Sequence, residues 1–172
     1  AIYALVGHSY LAVRIVQAML GTLTCWLMYR IGVLVFGTAV GLLAATVAAV
    51  CPTLIFYSGV LLTETLATCL LSAVVLLLLR TATHVERGRV ALLALSGLLL
   101  GLAGLTRSVL LSAIPFALLW LWVVARPWPG AKRAALDAAA LLLPVLLVIA
   151  PITVRNYQIH HEFVLISTNG GV

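Results

Sequence analysis

The chain has 172 residues, 65% of them hydrophobic and 8% charged, with a mean hydropathy of +1.25 and a formal net charge of +6 at pH 7. Soluble domains are about half apolar and about a quarter charged, so a water-soluble core is excluded. The positive charge lies between apolar runs rather than on a soluble surface, and therefore gives no ground for nucleic acid as a partner.

Spanning roughly 30 Å of hydrocarbon takes about 20 apolar residues as a helix, because lipid offers no partner to backbone polar groups. Six runs meet that description, at residues 11–31, 33–56, 61–80, 90–106, 108–125 and 136–154. The predicted fold is an all-α, polytopic transmembrane helix bundle of about six spans. Only Arg30 to Gly32 interrupts the first pair and only Thr106 to Ser108 the fourth and fifth, so both pairs read as tight helical hairpins. Residues 80–89 (RTATHVERGR) and 126–133 (RPWPGAKR) are polar, turn-rich connectors. Pro52, Pro115, Pro144 and Pro151 fall within or near the ends of spans and are expected to kink or end them. No internal repeat supports a transporter built from inverted halves.

Orientation follows from Lys and Arg, which hold short loops in the cytoplasm. Arg30, Arg80, Arg87, Arg89, Arg126, Lys132 and Arg133 fall on one side, and Arg14, Arg107 and Arg155 on the other. Both termini are therefore expected outside. Trp120, Trp122, Trp128 and Tyr29 suit an aromatic belt on the basic side. The chain begins at Ala1 without an initiator Met and stops at Val172 as an outer segment opens, so it is expected to be an internal piece of a longer protein. Cys25, Cys51 and Cys69 lie inside spans and read as small apolar packing residues.

Polar chemistry gathers on the outer side: Arg14 and Gln17 entering the first span, Glu64 heading the third, Arg107 between the fourth and fifth, and Arg155, Asn156, His160, His161 and Glu162 after the sixth. Two readings stand for Glu64. A carboxylate in a first turn complements the positive end of a helix, and an ionisable group at membrane depth marks a substrate path. Arg107 likewise either snorkels to lipid phosphates or supplies a forked cation for a phosphate or pyrophosphate. Gly97, Gly101 and Gly104 allow close helix packing and form no nucleotide loop. His160 and His161 are adjacent and diverge, so a zinc site from that pair alone is disfavoured; Glu162 with one histidine remains an alternative. No CxxC, P-loop or Ser-His-Asp arrangement is present.

Taken in order, Arg14-Ile15-Val16-Gln17, Val35-Phe36-Gly37, Cys51-Pro52, Phe56-Tyr57-Ser58, Leu62-Thr63-Glu64, residues 97–107, Arg155-Asn156-Tyr157 and residues 163–171 resemble a prokaryotic GT-C glycosyltransferase. The chain is similar to the branch of protein O-mannosyltransferases (glycosyltransferase family 39) and lipid A aminoarabinose transferases. The resemblance covers nearly all of residues 1–172, which would form about a third of one transmembrane glycosyltransferase domain, its first helix, first outer loop and C-terminal part lying outside.

The resemblance implies a multi-pass enzyme of the prokaryotic plasma (inner) membrane. It would move a sugar from a polyprenyl-phosphate donor to a protein, lipid or glycan acceptor at the outer face, without a nucleotide at the site. It also implies that the main catalytic acid lies in a loop before Ala1. Glu64 matches an accessory acidic position that positions acceptor or, in metal-using relatives, binds a divalent cation. Arg107 occupies the place where relatives carry a Lys or Arg near the donor phosphate, Arg155 matches the Arg-Asn that opens the next outer loop and is a substrate-binding candidate, and Arg14 and His160 are further substrate-binding candidates. The rival from another class is a transporter or lipid flippase, which calls for ionisable groups at mid-depth; the interiors of the six spans hold almost none.

Overall fold

The structure, a computed structural model, describes residues 10–59, 63–83, 88–123 and 130–160. Among them there is no strand. The helices are α1 (Tyr10–Phe36), α2 (Thr38–Val50), α3 (Pro52–Gly59), α4 (Glu64–Thr83), α5 (Arg89–Thr106), α6 (Ala113–Val123) and α7 (Ala131–His160), with a 3-10 turn at Ser108–Ser112 before α6. Four segments are long and apolar enough to cross a membrane: Val13–Phe36, Glu64–Ala82, Arg89–Thr106 and Lys132–Asn156. Shorter apolar helices, Thr38–Val50 and Ser108–Val123, fill the other two predicted spans. The all-α membrane bundle thus holds, with four full-length crossings where the sequence suggests six. The chain divides between Ser72 and Ala73 into two compact units, and α4 runs through the division.

In the first unit the hairpin turns later than the sequence suggests. The helix continues past Arg30 and Gly32 because Arg30 lays its guanidinium over the Trp26 ring, 5.4 Å from the centroid, so the charge is accommodated in mid-helix. The break falls at Gly37, whose φ of 95° and ψ of 176° belong to a region essentially reserved for glycine. Across the hairpin Gly32 meets Gly41, where a Cβ on Gly32 would lie 2.7 Å from the Gly41 Cα. The predicted second span is split at Cys51. That residue precedes a proline, which disfavours helical backbone, and adopts φ −65° and ψ 115°; Pro52 then opens α3, where its missing N–H costs nothing. Thr65, in the first turn of α4, donates its hydroxyl to the Tyr57 carbonyl at 3.0 Å and ties α4 to α3.

In the second unit α5 packs along α7 with both running the same way. Arg89 pairs with Asp137, Gly97 lies against Leu141, and Gly101 lies against Val145 and Val148, so the partner number rises with each step. The Leu141 carbonyl oxygen occupies the place a Gly97 Cβ would take, and a Cβ on Gly101 would stand 3.0 Å from the Val148 Cβ. Close approach of backbones is what holds helices together where lipid removes the hydrophobic drive. Val74 and Leu78 of α4, Leu93 and Leu100 of α5, Leu121 of α6 and Leu141 of α7 share one buried cluster. Helix α7 passes through Pro144 and Pro151 without ending.

Candidate active site

Glu64 is the first residue of α4 and is half-buried. Its backbone carbonyl accepts the Thr68 hydroxyl at 2.8 Å, and the Thr63 carbonyl accepts the Ala67 N–H at 2.9 Å, so the first turn is regular. Glu64 at this end and Arg80 in the last turn both complement the helix dipole. Arg14 projects from the exposed side of α1, one turn before Ala18.

Ala18 and Thr65 both border a pocket of about 390 Å³ inside the first unit, formed by α1, the end of α2, α3 and the start of α4. Arg14 and Glu64 thus stand just ahead, in sequence, of two of its walls. Four threonines line it, yet their hydroxyls are committed to backbone: Thr22 to Ala18, Thr24 to Leu20, Thr65 to Tyr57 and Thr68 to Glu64, at 2.8 to 3.0 Å. Ala48, Ala49, Gly21 and Leu54 line it beside them. Such a wall accepts hydrocarbon better than a hydroxyl-rich sugar.

Arg107 lies in the second unit, at the extended break between α5 and the 3-10 turn, with φ −147° and ψ 113°, and is exposed. Its N–H donates to the Ala103 carbonyl at 3.0 Å and its carbonyl accepts the Leu110 N–H at 2.9 Å. Arg155 is exposed in the closing turns of α7. Because α5 and α7 are parallel, Arg107 and Arg155 fall at the same end of that pair. His160 is the last residue of α7; His161 and Glu162 lie outside the described residues. Among the described residues no three His, Cys, Asp or Glu side chains converge as metal ligands.

A pair not singled out from the sequence marks the other end. Arg89 Nε donates to both Asp137 carboxylate oxygens at 3.2 and 3.0 Å, Nη2 donates to Oδ2 at 2.7 Å, and Nη1 donates to the Thr81 carbonyl at 2.8 Å. Both side chains are buried. The signal was available: Asp137 is a lone acid inside a predicted span, and such a group needs a partner.

A family model described as dolichyl-phosphate-mannose-protein mannosyltransferase matches residues 1–154. The chain belongs to that family. Membership in this mannosyltransferase family makes it a membrane glycosyltransferase of the GT-C type and decides against the transporter reading. No curated protein and no solved structure matches the chain. The mannosyltransferase family match runs from the first residue to the closing turns of α7, and so takes in Arg14, Glu64 and Arg107, with Arg155 and His160 just beyond its end.

Proposed function

We propose that this chain forms part of a glycosyltransferase that takes a sugar from a polyprenyl-phosphate donor and gives it to a protein, lipid or glycan acceptor at the outer membrane face. The mannosyltransferase family match over residues 1–154 carries the proposal. In the reaction the acceptor oxygen forms a bond to the sugar's anomeric carbon as the bond from that carbon to the phosphate oxygen breaks. The acceptor proton passes to a carboxylate base, and polyprenyl phosphate leaves with the extra negative charge. Arg107 and Arg155, exposed at one end of α5 and α7, are suited to that departing phosphate. Arg14 and His160 are further donor contacts, and Glu64 orients the acceptor hydroxyl. Prokaryotic plasma membrane, with the acting face outside, is the setting this reading requires.

The test is turnover of a radiolabelled polyprenyl-phosphate mannose by the intact protein in liposomes. Arg107→Ala should lower turnover about ten-fold or more, as loss of one charge-stabilising donor does, while Arg107→Lys should recover part of it. Unchanged turnover at equal expression removes Arg107 from the site. A wild-type protein that turns over no polyprenyl-phosphate sugar refutes the donor class.

A further inference from the structure

Two pairs of residues mark the ends of α5 and α7, and they share one register. Arg89 and Asp137 are 48 residues apart and meet in the buried ion pair. Arg107 and Arg155 are the same 48 residues apart, each eighteen past its counterpart. Eighteen residues make about five turns of a regular α-helix, roughly 27 Å of rise, so a given face returns at that interval. The faces that meet at Arg89 and Asp137 therefore meet again where Arg107 and Arg155 stand, provided each helix carries its register through. At the first meeting a cation faces an acid. At the second, two guanidinium groups share the seam, an arrangement that suits a phosphate between them.

Helix α7 does not carry that register unaided. Pro144 and Pro151 each take one N–H from its hydrogen-bond ladder and press a ring against the preceding turn, which is what kinks a helix. Both lie between Asp137 and Arg155, so what α7 leans on decides where its end goes. The Arg89–Asp137 pair and the contact of Gly97 with Leu141 hold the segment before Pro144. Gly101 holds the segment between the prolines: a Cβ there would stand 3.3 Å from the Val145 Cα and 3.0 Å from the Val148 Cβ, so a methyl fits only if α7 gives way. Val145 is buried and Val148 half-buried at this seat. Arg107 lies six residues past Gly101 and Arg155 seven past Val148, roughly 9 and 10.5 Å of helical rise, which brings the two arginines to nearly one level.

We propose that Gly101 is a positioning residue for the donor phosphate: by seating Val148 it steadies α7 between its two prolines and brings Arg155 level with Arg107. The inference rests on the reading that these two arginines meet that phosphate. Gly101 touches no substrate itself and acts through the end of α7. A methyl added at residue 101 pushes the Val148 segment outward at the seat. The displacement grows over the seven residues to Arg155, because Pro151 has no amide to resist it. A guanidinium fork holds a phosphate by direction as well as charge, so a small displacement weakens the grip.

The experiment is the KM for radiolabelled polyprenyl-phosphate mannose, measured on the intact protein in liposomes, since KM does not depend on how much of a variant folds. Gly101→Ala should raise it about five-fold, a part of one charge-assisted hydrogen bond. Val148→Ala, which withdraws the contact without crowding and so folds, should raise it about three-fold, and Gly101→Ala/Val148→Ala, which refills the seat, should return it to the wild-type value. Gly37→Ala strains the backbone of the first unit at φ 95° and should leave KM unchanged. Spin labels on Arg107→Cys/Arg155→Cys, with Cys25, Cys51 and Cys69 replaced by alanine, should show a distance distribution that shifts or broadens in Gly101→Ala and recovers in the double variant. A wild-type KM or an unchanged distance in Gly101→Ala, no recovery in the double variant, or an equal rise in Gly37→Ala would each overturn the proposal. If Arg107→Ala and Arg155→Ala leave donor KM and turnover at wild type, the phosphate reading fails and this inference with it; if they change either while Gly101→Ala does not, the positioning role alone fails.

Discussion

Replacing Asp137 with alanine removes the carboxylate that takes three of the four hydrogen bonds of the Arg89 guanidinium, 5% exposed, and leaves it the Thr81 carbonyl. Removing one partner of a buried ion pair costs about 3 to 5 kcal/mol, since the remaining charge is uncompensated. An adjoining pocket of about 350 Å³ gives water a route to the guanidinium, which favours the lower figure, about 3 kcal/mol. Asp137→Asn keeps one acceptor oxygen and should fall below that. The double variant Arg89→Met/Asp137→Leu removes both charges and leaves only the Thr81 carbonyl, in the last turn of α4, without its donor; it should cost about 1 kcal/mol. Unfolding in mixed micelles by titration with sodium dodecyl sulfate, followed by circular dichroism, gives all the values needed for a double-mutant cycle. Single variants that each cost under about 1 kcal/mol, or a double variant as costly as the two added together, would refute a coupled buried pair.

The glycines of α5 should separate by what their missing Cβ would meet. Gly97→Ala drives a methyl into the Leu141 backbone carbonyl and should cost at least about 1 to 3 kcal/mol, whereas at Gly104 the obstacle is the end of the Leu111 side chain, which can rotate away, and the same unfolding titration should show less than half that loss. Gly37→Ala meets no atom within 4 Å but retains φ 95°, so its cost of about 1 to 3 kcal/mol should be purely conformational, while Gly130→Ala, equally open and without a positive φ, should be nearly neutral in the same titration.

Hydropathy located the helices well because lipid admits few backbone solutions: residues 90–106 and 61–80 differ from α5 and α4 by a few residues only. Where a helix ends was less legible. A charge such as Arg30 reads as an interruption, but a neighbouring aromatic ring absorbs it, while Gly37 takes the turn through a backbone conformation that no hydropathy window registers. The proline rule does predict the extended Cys51, and a reading built on local stereochemistry rather than apolar length would have split the second span there. The close-packing role assigned to Gly97, Gly101 and Gly104 is what α5 displays. On the candidate site, sequence order placed Arg107 and Arg155 on one side, and the parallel register of α5 and α7 gives the same end. The Arg89 and Asp137 pair escaped because Arg89 was counted with the loop cations, and pairing between residues 48 apart is invisible to any local pattern.

The 3-10 turn at Ser108–Ser112 settles a question of reach. Parallel α5 and α7 require the chain to travel back between them, with only sixteen helical residues in Ser108–Val123 against eighteen in α5. An α-helix rises about 1.5 Å per residue and a 3-10 helix about 2.0 Å, so the return covers roughly 26 Å against roughly 27 Å for α5. Wound as α-helix throughout it would fall short by about 2.5 Å more. Tightening one turn therefore brings Ser108–Val123 close to the rise of α5, and a bilayer of one thickness suits both lengths.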